Sequence, residues 1–206
     1  MGPGEFEQLL SPVHTALCLV ECQNGIIGSE ATFPALAEVM TKRLPDISTL
    51  LTVARIAGVT VVHATAEVLP GRWGANNNAP IFDIARRSKI QLKIDTMAAK
   101  PLPEFGPEPG DIVVPRFRGL SPFSGTELVH LLHNEGITTV VLAGVSLNVA
   151  IPNAVFDLVN TGFQVVVARD CVAGTPPSYG DQVLENSLRY VATLVESVDL
   201  LSVWRR

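Results

Sequence analysis

The chain has 206 residues, 47% of them hydrophobic, with 15 basic against 20 acidic side chains and a formal charge of −5. That length fits one domain, expected to span 1–206, which buries a sizeable core without disulfides or metal. Net acidity without a basic block argues against nucleic acid or an anionic membrane as main partner, and no apolar run approaches the ~20 residues of a membrane span, which leaves small molecules or proteins.

Cys18, Cys22 and Cys171 are odd in number and lie in or beside apolar runs. They suit reduced thiols in a cytoplasmic protein better than a secreted disulfide framework. Residues 1–12 read as an N-terminal tail, partly vector-derived, without the basic and apolar regions of a signal peptide.

Residues 15–20 (TALCLV) form a short apolar strand that delivers Glu21 at its C-terminal end, before the turn residue Gly25. Helical spacing follows over 34–43 and 45–57, with Ile47, Leu50, Leu51 and Ala54 as the buried stripe and Gly58 as C-terminal cap. The second strand, 59–62, ends at His63. Residues 67–80 carry Arg72, Trp73 and the run Asn76, Asn77, Asn78, and read as a long irregular loop of the kind that serves as a lid or packs on a neighbouring subunit. A weak helical patch covers 81–88, and a third strand, 111–114, leads to Arg116.

A helix over 127–134 precedes the fourth strand, 138–143, whose β-branched residues mark it as buried and parallel. Gly144 opens a turn into a helix over 153–160, and that turn carries Ser146, Asn148 and Ala150. A fifth strand at 163–168 ends at Asp170, which reads as a turn or cap residue. A last helix over 182–194 and a sixth strand over 198–203 complete the pattern. Strands alternating with helices give a parallel sheet covered on both faces, so the expected fold is a three-layer α/β/α sandwich with a mainly parallel six-stranded sheet. Its strand C-termini gather Glu21, His63, Arg116, the 144–150 turn and Asp170 along one edge, where open α/β sheets bind ligands.

The segments ALCLVECQNG, DIVVPRFRGLSPFSGT and GITTVVLAGVSLNVAI, in this order, resemble the isochorismatase-like, or cysteine hydrolase, superfamily, which includes isochorismatases, nicotinamidases and N-carbamoylsarcosine amidases. The resemblance implies a catalytic aspartate at the end of strand one, a lysine after strand three and a nucleophilic cysteine opening the helix after strand four. Here those positions hold Glu21, Arg116 and Ala150. An alanine has no atom that attacks a carbonyl, so an acyl-enzyme route is not expected.

Some isochorismatases in the family also lack the cysteine and hydrolyse a vinyl ether, and Glu21 offers the same acid or base chemistry from a longer side chain. Arg116, always charged, replaces a proton shuttle with an anion clamp. A direct pair between the two would lower the Glu21 pKa and disfavour acid catalysis. The Glu21/Arg116 pair reads equally as a site or as scaffold.

The expected function is thus binding, or non-covalent hydrolysis, of a small molecule at the strand C-termini, with a catalytically silent binding or scaffold subunit as the alternative. Catalytic candidates are Glu21, Arg116 and the Ala150 position; substrate-binding candidates are His63, Arg72, Trp73, Ser146 and Asn148. For His63 the commoner outcome is a satisfied, half-buried histidine. Cys22 should point away from the ligand edge by strand alternation. No metal or other cofactor is expected, because no Asp/His cluster follows His63. The resemblance also implies a homo-oligomer and a cis peptide near Val145 and Ser146.

Overall fold

The computed structural model describes residues 2–29 and 31–205. In chain order the elements are α1 (Pro3–Leu9), β1 (Thr15–Val20), α2 (Asn24–Ile27), α3 (Pro34–Thr41), α4 (Leu44–Ala57), β2 (Thr60–Ala66), α5 (Pro80–Arg87), β3 (Ile112–Arg116), α6 (Leu128–Asn134), β4 (Thr139–Val145), α7 (Ala150–Asn160), β5 (Gln164–Ala173), α8 (Pro177–Asn186), β6 (Thr193–Val195) and α9 (Ser197–Trp204). The strands form one parallel sheet in the order β3-β2-β1-β4-β5-β6. This is the expected α/β architecture. Strand order reverses between β1 and β4, so the connections leaving their C-terminal ends run to opposite sides and open a crevice, the usual ligand position of such sheets.

Alternation along each strand divides the core. Leu17 and Leu19 of β1 face a layer built by α3, α4 and α9, with Met40, Leu50, Leu51 and Trp204. Ala16, Cys18 and Val20 face the opposite layer of α6, α7 and α8, with Leu132, Ile151, Val155 and Leu184. Because successive side chains point to opposite faces, a strand covered on both reads as a continuous apolar run. Pro115 falls on β3, where a sheet tolerates it because an edge strand has one unpaired side.

The C-terminal segment differs from expectation. Residues 198–203 are not a strand but part of α9, and the sixth strand is Thr193–Val195. Short apolar runs are ambiguous by periodicity alone. Burial of Ser197, Leu200 and Trp204 follows helical spacing. Asp170 accepts from Ser197 N at 2.8 Å and Ser197 Oγ at 2.6 Å, so the β5 aspartate caps this helix. The helix expected over 182–194 ends at Asn186, because Ser187 leaves helical geometry at φ −127°.

Residues 2–12 also depart from the expected tail, of which Met1 lies outside the described residues. They form α1 and a short turn, Leu9 and Leu10 are buried, and Trp204 Nε1 donates to Leu10 O at 3.0 Å.

Candidate functional site

Gly144 brings β1 and β4 together. At φ +107° a Cβ would stand 2.2 Å from Val20 O, so only glycine permits this approach. The chain then passes through a cis Val145–Ser146 peptide into α7. Leu147 N–H donates to Ala173 O, and Val149 and Ile151 N–H both donate to Ser146 O. The N–H groups of Asn148 and Ala150 have no hydrogen-bond partner among the described residues.

Glu21 follows β1 in the left-handed region, φ 54°, with its N–H on Ala64 O at 2.9 Å. Its Oε1 accepts from Arg116 Nη2 in an ion pair whose side chains are each 13% exposed. Arg116 Nη1 donates to Gly119 O at 2.7 Å, and its buried Nε has no partner among the described residues.

These residues border a cavity of about 410 Å³, a size suited to a small organic ligand. Glu21, Arg116, Ser146, Asn148 and Ala150 line one part of it, and Arg72, Asn76 and α5 another. Asn148 is already committed: Nδ2 donates to Thr175 O at 2.7 Å and Oδ1 accepts Thr175 N–H at 2.9 Å, which clips the loop after β5 to the loop after β4. Arg72 donates to Gln91 Oε1 at 3.1 Å.

Two expected ligand contacts lie elsewhere. His63 is 1% exposed, points into the α4 side of the sheet, and its Nε2 is 3.1 Å from Asp111 Oδ2. Its strand register alternates it away from the cavity edge, so it is a buried histidine held by Asp111 rather than a lining residue, and its Nδ1 has no partner among the described residues. Trp73 is 79% exposed and does not line the cavity, because the left-handed run Gly71, Arg72, Gly74 turns it outward.

Cys22 is buried in the α3/α4 layer, away from the cavity; alternation along β1 would group it with Ala16, Cys18 and Val20, but Glu21 at φ 54° interrupts the strand. Burial, then the neighbouring Cys18 and Glu21, push its thiol far above the usual range, so it supplies no thiolate. Among the described residues no group of three or more His, Cys, Asp or Glu is placed to hold a metal.

Three features escaped the sequence. Gln23 is fully buried and ties the ends of β1 and β2 to a distant strap: Nε2 donates to Ala66 O and Ala99 O, and Oε1 accepts Ala66 N–H at 2.8 Å. Gly25 lets that strap close over α2, since a Cβ there would meet Leu92 Cδ2 at 2.7 Å. The third is the role of α5, whose Ile81, Phe82, Ile84 and Ala85 line the cavity. Its sequence did carry a signal, because these four share one helical face opposite Asp83, Arg86 and Arg87.

Fold and cavity together define a doubly wound α/β protein with a cavity at its strand-order reversal. The chain belongs to the isochorismatase family: the Isochorismatase domain model matches residues 15–199. Among curated proteins it is 29% identical, over 76% of this chain and 71% of that protein, to the maleamate amidohydrolase of Pseudomonas putida. It is 26% identical, over 93% of this chain and 91% of that protein, to the ureidoacrylate amidohydrolase RutB of an Enterobacter species. In structure it is similar to an isochorismatase family protein from Desulfovibrio vulgaris, with TM-score 0.81 and 24% identity over 94% of this chain and 99% of that one. It is also similar to N-carbamoylsarcosine amidase from Thermoplasma acidophilum, with TM-score 0.70 and 24% identity over 89% and 96% of the two chains. These structural likenesses speak for the fold alone. The family is one of hydrolases that act on small molecules.

Proposed function

We propose that this chain binds a small molecule in the cavity beside Glu21 and forms no acyl-enzyme with it. The observation that carries this reading is the direct Glu21–Arg116 pair lining the same cavity as Ala150. The methyl group of Ala150 offers no nucleophile, and one oxygen of the Glu21 carboxylate is already taken by the Arg116 guanidinium. Binding without turnover follows from the two together.

A thermal-shift screen followed by a hydrolysis assay on each hit tests this. Stabilisation without turnover is expected, and the screen should include maleamate and ureidoacrylate, the amides named for two relatives. A covalent acyl adduct seen by mass spectrometry would sink it.

A second reading, hydrolysis through an activated water, is favoured by one observation. Glu21 Oε2 has no hydrogen-bond partner among the described residues, and neither do the Asn148 and Ala150 N–H groups. In that case Glu21 is the base, Arg116 the anion clamp, and the two N–H groups the oxyanion donors. Turnover abolished by Glu21→Gln, with folding intact, favours this second reading over pure binding.

We further propose a homo-oligomer in a reducing, cytoplasmic setting. The exposed Trp73 beside the cavity loop and the three free, buried cysteines support it. Light scattering on the purified chain tests the assembly.

A further inference from the structure

The polar side chains around the cavity are largely spent on the protein itself. Asn148 uses both ends of its amide on Thr175. Gln91 Nε2 donates to Ala85 O and Ser88 O while its Oε1 receives Arg72, and Asn76 Oδ1 accepts Gly119 N–H. Glu21 and Arg116 neutralise each other. Arg72 and Arg118 share the lining with Glu67, whose Oε1 accepts from Thr65, while the exposed Arg118 donates to Gly125 O at 3.4 Å, so both signs of charge border the cavity there too.

Most of the remaining wall is hydrocarbon, contributed by Phe33, Leu36, Ile81, Phe82, Leu92 and Leu120 among others. Helix α5 adds a further observation. Its apolar face lines the cavity and its charged face looks away, yet none of its residues is buried by the protein. A helix with this pattern gains most when its apolar face is covered by something apolar.

We infer, resting on the cavity-binding reading above, that the ligand is an uncharged, hydrophobic molecule with one hydrogen-bonding end, a hydroxyl or primary amide. The body lies under α5 against Phe82. The polar end donates to Glu21 Oε2, where the existing ion pair leaves an acceptor but no net charge. A carboxylate at that point meets Glu21 as a like charge, and an ammonium meets Arg116, so either charged end is disfavoured.

Four matched probes test this by calorimetry on the full chain at neutral pH: phenylbutanamide, phenylbutanol, phenylbutyrate and phenylbutylammonium. The amide and the alcohol are expected to bind roughly tenfold more tightly than either ion. Phe82→Ser should weaken amide binding roughly fivefold, with an unchanged melting curve because Phe82 is not part of the buried core. Tighter binding of either ion, equal binding of all four, or a Phe82→Ser variant with unchanged affinity overturns the inference and leaves the cavity reading standing. No binding by any of the four, alongside a hydrophilic hit from the thermal-shift screen, overturns it as well. A screen without any hit sinks the cavity reading itself.

Discussion

Glu21 and Arg116 face each other from the ends of β1 and β3, and removing either leaves the other charge only 13% exposed. Glu21→Gln and Arg116→Gln are each expected to cost ~1–3 kcal/mol of stability. The double variant should cost less than the sum, which a double-mutant cycle in urea measures directly. Asn148→Ala removes two hydrogen bonds to Thr175 and should likewise cost ~1–3 kcal/mol, with the loop after β5 exchanging amide protons faster. The cysteines give a different expectation: burial raises the thiol pKa of all three, so a thiol reagent should label them only after unfolding.

At the scale of elements, the site depends on how closely strands and strap approach. Gly144→Ala places a methyl group into Val20 O at a φ that side chains rarely adopt, and a loss of ~3 kcal/mol or more is expected in chemical denaturation. A variant as stable as the parent would show that the β1–β4 approach relaxes freely. The strap behind α5 is tied by Gln23 and also by Asn24, whose Nδ2 donates to Lys100 O and Pro101 O at 3.0 Å. Such side-chain ties to backbone carbonyls satisfy groups that a loop would otherwise leave to water. They hold the cavity wall in place while α5, with no buried residue of its own, is the part freest to respond to a ligand.

Across the whole molecule, α4, β2 and the loop before β3 meet at one polar cluster. Arg55 Nη2 lies 2.6 Å from Asp111 Oδ2 and Nη1 lies 2.8 Å from Glu108 Oε1, with His63 on the same aspartate. Burial, helped by Arg55, holds His63 below its ordinary 6.5 against the opposing pull of Asp111. Burial also works against the Asp111 carboxylate, but hydrogen bonds from Arg55, Glu108 N–H and His63 outweigh it and keep its pKa below the ordinary 3.8. The unfolded chain therefore takes up the histidine proton first, so stability is full above pH 6.5 and falls as pH drops below it. A second loss follows below pH 3.8 as Asp111 protonates. Urea midpoints measured between pH 8 and 5 should decline, and His63→Gln should flatten that decline. The six-strand α/β pattern, the buried stripe of α4 and the gathering of Glu21, Arg116 and the 144–150 turn at one sheet edge were legible in the sequence, because apolar period and turn residues are local signals. Tertiary structure alone decided the rest: that Glu21 meets a guanidinium 95 residues away, that Asn148 is spent on Thr175, that His63 turns to Asp111, and that 198–203 coils into a helix under Asp170. Each of these depends on which strands become neighbours and which face a side chain takes, and partner distance along the chain carries no trace of that.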